Sequence, residues 1–253
     1  MSRTAARESL GFLNKLIGII EKTKKPLVIL DLDGTLFNVN HRHFEILRRF
    51  ALQPKIRAEF PTQVAILEKI KDSDFHYTIE STLNAKGIDR HSERSAHFIK
   101  LVETYWFKHF FADDFVLMDR PYPGAAECVS ALHQAGAHLT YLSGRDVPNM
   151  SRGTIEALEK HGFPHSGHGI SVFLKPAYGQ DDLLFKKQAI RTIRSEGEVV
   201  ATFDNEPANV QLFAQEFPRA MNFHFNSLYA RHIELKGSGV YVIRSFAELG
   251  SPE

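Results

Sequence analysis

Asp31 and Asp33 stand two residues apart in the stretch PLVILDLDGTLF, directly after the apolar run of residues 27–30. On an extended backbone, side chains two apart face the same way. Neighbouring carboxylates repel each other unless a shared proton or a cation relieves them, and a divalent metal is the simpler relief. Two more polar clusters follow apolar runs in the same manner. Ser143, Gly144, Arg145 and Asp146 come after residues 137–142, and Asp204, Asn205, Glu206 and Pro207 come after residues 198–203. If the three clusters meet, they make a site able to handle an anionic group.

Bringing them together is the work of the scaffold. A short apolar run stopped by a turn suits a strand covered on both faces, and such runs occur at residues 26–30, 137–142, 170–174 and 198–203. Helical spacing is read at 125–134, at 149–160 and from about Asp182 onward. Strands and helices that alternate in this way imply right-handed crossovers, a parallel sheet and ligands beyond the carboxyl ends of its strands. The expected fold class is α/β, with helices on both faces of the sheet. The N-terminal stretch places Leu10, Leu13, Ile17 and Ile20 at helical spacing, as a helix packed on the domain.

Residues 40–118 interrupt the alternation. HFEILRRFAL, QVAILEKI and SAHFIKLVETYWFKHFF carry apolar residues three and four apart, so this segment reads as an α-helical insertion. At roughly eighty residues it is far too long for a structureless loop. Aromatic residues crowd its end at Tyr105, Trp106, Phe107, Phe110 and Phe111. The core then comprises 1–39, with the N-terminal helix, and 119–253.

Composition narrows the classes of function. A chain of 253 residues with a net charge of +1 is long enough for a full core plus an insertion. Nothing in its overall balance suggests nucleic acid or an anionic membrane surface. Cys128 is the only cysteine, so no intrachain disulfide forms, which fits a reducing, cytoplasmic setting. The apolar stretch at 10–20 is interrupted by Asn14 and Lys15 and is read as neither signal peptide nor membrane span. Oligomeric state is left open.

Taken in order, DLDGTLF, TYLSGRD, a lysine after the third strand and ATFDNEPAN resemble the four motifs of the haloacid dehalogenase superfamily, most of whose members are phosphatases. The resemblance spans residues 26 to about 210. It implies a Rossmann-like core, with residues 40–118 as a helical cap that closes over the site and selects a small phosphorylated substrate. It also implies Mg²⁺, held by Asp31, Asp204 and the backbone carbonyl of Asp33, with Asn205 standing where many relatives have a second acid. An amide can hold a metal-bound water but adds no charge; Glu206 is the nearby acid that could compensate.

Within that resemblance Asp31 is the nucleophile and forms an aspartyl-phosphate, while Asp33 is the general acid and base. Ser143 and the amide of Gly144 bind phosphoryl oxygens, and a lysine adds positive charge. Lys175, Lys186 and Lys187 compete for that last place, and LLFKKQAI matches the third motif with Lys186 at the critical position. Thr35, Gly144, Arg145, His41 and His43 are the candidate substrate contacts, with Asp146 an alternative partner for Arg145. Asp33 also separates chemistries: a departing halide needs no proton, whereas an alkoxide leaving phosphorus does. Phosphate-ester hydrolysis is therefore favoured over dehalogenation. A phosphotransferase or mutase, a polynucleotide phosphatase, and a catalytically weak ligand-binding regulator remain the alternatives.

Overall fold

The computed structural model describes residues 11–229, 235 and 239–250; Leu10 of the expected N-terminal helix lies outside them. The first strand, β1 (Pro26–Leu30), is buried along its whole length. It lies inside a six-stranded parallel sheet whose order is β5 (Ile170–Lys175), β4 (His138–Asp146), β1, β6 (Glu198–Asp204), β7 (Met221–Phe225) and β8 (Val240–Ile243). The alternation of strand side chains divides β1 between two cores. Val28 and Leu30 pack with the first helix, α1 (Phe12–Ile20), while Leu27 and Ile29 pack on the opposite face.

Because β4, β1 and β6 are adjacent and parallel, their carboxyl ends share one edge. That adjacency unites the three polar clusters. The strand predicted to stop at residue 142 runs on to Asp146, and its end is irregular. Ser143 pairs with Leu174 and Asp146 with Lys175, which leaves Gly144 and Arg145 as extra residues on β4. Such a bulge turns side chains out of the ladder.

A two-stranded antiparallel ribbon, β2 (Phe37–Asn38) with β3 (Arg120–Pro121), ties both ends of the insertion to the core. Between them the chain is helical, beginning with α2 (Asn40–Ala51), then α3 (Pro54–Glu59), α4 (Pro61–Leu67) and α5 (Ile79–Ala85). It continues with the long α6 (Glu93–Phe110) and the short α7 (Asp113–Val116), and the core then adds α8 (Ala125–Gln134), α9 (Val147–Lys160) and α10 (Asp182–Glu196). Thr78 and Ser92 cap α5 and α6 by accepting from Ser81 N and Ser95 N. The insertion has an apolar core of its own, including Leu47, Phe50, Phe60, Leu83 and Phe98. Among the described residues, no helix is long and apolar enough to cross a membrane.

Candidate active site

β1 delivers Asp31 to the sheet edge, where its amide still bonds Phe203 O on β6 at 3.0 Å. Asp204 ends β6 and is fully buried. Facing both is Lys186, from the first turns of α10 (Asp182–Glu196), a helix capped by Asp181, which accepts from Leu184 N. Lys186 Nζ donates to Asp31 Oδ1 at 2.7 Å and to Asp204 Oδ2 at 2.6 Å. Thr35 Oγ1 donates to the other oxygen of Asp31 at 3.0 Å. The other oxygen of Asp204 accepts from Glu206 N at 2.8 Å and Asn209 Nδ2 at 3.2 Å.

Two buried carboxylates thus share one ammonium. Burial lifts Asp31 to about 7, with Asp204 adding to the rise, even though Lys186 opposes it. For Lys186, burial acts downward, but the two carboxylates outweigh it and hold the amine above its usual range. Neither rival lysine reaches the pair: Lys175 is engaged with Asp182 and the carbonyls of Tyr178 and Gln180, and Lys187 is exposed.

Asp33 belongs to a different cluster. Its Oδ1 accepts from Arg145 Nε at 2.9 Å and Arg42 Nη2 at 3.0 Å. Both guanidiniums also bond Asp119, Arg42 Nε at 2.8 Å and Arg145 Nη2 at 2.8 Å. Withdrawal from water alone would raise the Asp33 carboxyl, yet Arg145 and then Arg42 override it and keep the group well below the usual carboxylate range. Asp119 shifts the other way, because its burial outweighs the same two arginines. Arg145 is therefore committed within the protein, to Asp33 and Asp119, and Asp146 is instead the cap of α9 (Val147–Lys160).

Sequence reasoning missed Arg42 and Asp119. They lie 77 residues apart at the two ends of the insertion, and only the β2–β3 ribbon brings them together. Of the two histidines that begin the insertion, both candidates for substrate contact, His41 contacts Asp72 and Arg120 and does not line the cavity, whereas His43 does.

Asp31, Asp33, Ser143, Gly144, Lys186 and Asn205 all line one cavity of about 300 Å³, within the size range of small-molecule sites. Thr35 is fully buried beneath Asp31 and bonds the acid without lining that cavity. Asn205 braces the floor: Nδ2 donates to Leu228 O at 2.7 Å, and its carbonyl accepts from His224 Nε2 at 2.9 Å. Gly34 makes this possible, since its φ is +79° and a Cβ there would sit 2.3 Å from Asn205 Nδ2.

The donor set fits a small hard cation. Among the described residues no cluster of three or more His, Cys, Asp or Glu side chains gathers. What the site offers is two buried acids with an uncompensated negative charge. Mg²⁺ suits such a site, because it is bound through one or two carboxylates and keeps several waters.

Comparison with known proteins agrees with this layout. Among solved structures, a candidate phosphatase from Clostridium difficile is 11% identical, with a TM-score of 0.55, over 88% of this chain and 97% of that one. A predicted phosphatase from Clostridium acetobutylicum is 17% identical at a TM-score of 0.50, covering 90% and 96%. A class C acid phosphatase from Bacillus anthracis with tungstate bound is 16% identical at 0.43, covering 83% of this chain and 66% of that one. At these identities the first two likenesses are of fold alone. No curated protein matches. Residues 25–216, most of the chain, match the haloacid dehalogenase-like hydrolases, and the chain belongs to that family.

Proposed function

We propose that the protein is a Mg²⁺-dependent phosphatase that hydrolyses a small phosphorylated metabolite through an aspartyl-phosphate on Asp31, under the cap formed by residues 40–118. The observation that carries this reading is the placement of Asp31: a buried carboxylate at a strand end, oriented by Lys186 and Thr35, facing a cavity that Ser143 and Gly144 share. Bound Mg²⁺ would supply charge neutralisation for the approach of a phosphate dianion. Asp31 and Asp204 would hold it, with the Asp33 carbonyl.

Asp31 Oδ attacks phosphorus, and the bond to the leaving alkoxide breaks. Ser143 Oγ and the Gly144 amide steady the phosphoryl oxygens, and Lys186 offsets charge as it develops. The alkoxide takes its proton from Asp33, which later withdraws one from the water that cleaves the aspartyl-phosphate. In the resting geometry Asp33 is an ionised partner of two arginines and cannot donate. Its task requires the carboxyl to leave the guanidiniums for the leaving oxygen. Once it does, the guanidiniums no longer oppose burial and its pKa rises, so the carboxyl takes up a proton from solvent as it moves, and that proton is the one it gives to the alkoxide.

Hydrolysis of a generic aryl phosphate tests the reading. Turnover should require Mg²⁺ and fall about 10⁶-fold in Asp31→Asn, as for loss of a nucleophile. Absence of turnover with any divalent metal would overturn it.

A further inference from the structure

Besides the residues at the sheet edge, the cavity is lined by a group of aromatic side chains, His43, Tyr77, Trp106, Phe110 and Phe111 from the insertion and Tyr122 from the core. Asn40, His76, Asp182, Glu206 and Asn209 also line the cavity, so the aromatic side chains, rather than a lack of polar groups, are what sets its lining apart. The arginine and lysine among the lining residues, Arg145 and Lys186, are already paired with carboxylates, so a second anionic group on the ligand would meet no free guanidinium or ammonium there.

One polar group in this lining is set by its neighbours. Trp106 Nε1 donates to His43 Nδ1 at 2.8 Å, with the two ring planes 5° apart. Indole can only donate, so Nδ1 carries no proton and the neutral imidazole bears its hydrogen on Nε2. Among the described residues that Nε2–H has no partner, although His43 is only 6% exposed. Burial, reinforced by Arg42, pushes His43 down to about 3, so the donor is uncharged at physiological pH. Phe110 packs against both rings, 4.8 Å from His43 and 4.7 Å from Trp106, and the Arg42 guanidinium covers Phe110 at 4.4 Å. The stack is fixed before any ligand arrives.

We infer that the alcohol esterified to the phosphate carries a planar heteroaromatic ring with a hydrogen-bond acceptor, of nucleobase size, received by this aromatic lining with the acceptor on His43 Nε2–H. The inference rests on the phosphatase reading and adds the substrate class to it. His43 already stacks with Phe75 and Phe110, and Phe110 with Trp106 and the Arg42 guanidinium, so a flat ring would lie on the remaining aromatic lining while a ring nitrogen or carbonyl accepts from Nε2–H.

The test uses the full chain and its single tryptophan, Trp106, whose emission reports on that lining directly. With Mg²⁺ withheld so that nothing is consumed, the protein is titrated with adenosine and uridine 5′-monophosphates and with ribose 5-phosphate, which keeps the phosphate and sugar but lacks the ring. The nucleotides should change Trp106 emission saturably and bind about tenfold or more tightly than ribose 5-phosphate, the ratio that stacking of one base supplies. His43→Phe, which keeps a ring and removes the donor, should weaken nucleotide binding about fivefold, the share of one hydrogen bond, and leave both the stacking share and ribose 5-phosphate binding unchanged; undiminished nucleotide binding in a folded variant would overturn the assignment of the acceptor to Nε2–H. The wild-type comparison stands whether or not the variant folds. With Mg²⁺ restored, phosphate release is then followed on the same compounds. If ribose 5-phosphate binds as well as the nucleotides and is hydrolysed as fast, the ring assignment falls and the phosphatase reading survives. If no phosphomonoester is hydrolysed, both fall.

Discussion

Two buried ion clusters lie side by side at one sheet edge, and their charge counts differ. Around Lys186, two carboxylates share one ammonium, and Asp31 rises to about 7. Around Arg42 and Arg145, two carboxylates meet two guanidiniums, and Asp33 is held low. The first cluster lacks a positive charge and the second does not. The DxD doublet, symmetrical in sequence, is thereby split between a place that calls for a cation and a place that is already neutralised.

Breaking each cluster in turn should expose the difference. Arg42→Met leaves Asp119 buried with a partner gone, and removal of one member of a buried pair costs about 3–5 kcal/mol, read as a lower urea midpoint that Mg²⁺ does not restore. Lys186→Met also destabilises, yet Mg²⁺ should recover much of the loss by taking the place of the ammonium. Equal response of the two variants to Mg²⁺ would erase the distinction between the clusters. In the wild type, Mg²⁺ at a hundred times its Kd should add about 2.7 kcal/mol of stability, an increment absent in Asp204→Asn and kept in Asp119→Asn.

A smaller effect sharpens the comparison by pH. His43 is held neutral far below its unfolded pKa, so the unfolded chain binds the extra proton first. Stability from this site is complete above about pH 6.5 and declines as pH falls toward about 3. The slope between pH 6.5 and 4 should carry up to about 1.4 kcal/mol per pH unit from this group. His43→Phe should flatten it, as followed by urea titration at several pH values. An unchanged slope would mean that His43 titrates freely.

Which parts were legible in the sequence follows from how each was encoded. Asp31, Ser143 and Asp204 could be read because each ends an apolar run, and parallel neighbours place such ends on one edge. Lys186 followed from the family motif. Arg42 and Asp119 carry no local signal: the first sits inside a helix, the second precedes a turn, and their partnership exists only in three dimensions. β7 and β8 were not anticipated either. In β7 the polar Asn222 and His224 break the apolar run, yet both are buried: Asn222 accepts from Thr202 Oγ1 at 2.8 Å, and His224 donates Nε2–H to the Asn205 backbone carbonyl. The two-residue β2–β3 ribbon is too short for any periodicity to show.

Whether the paired aspartates do unequal work is decided by Mg²⁺ affinity measured calorimetrically on Asp31→Asn and Asp33→Asn, beside aryl phosphate hydrolysis. Asp33→Asn should bind Mg²⁺ nearly as well as wild type, through its unchanged backbone carbonyl, while turnover is lost. Asp31→Asn should lose both. Retention of hydrolysis in both variants, or equal weakening of Mg²⁺ binding by both, would contradict that division of roles.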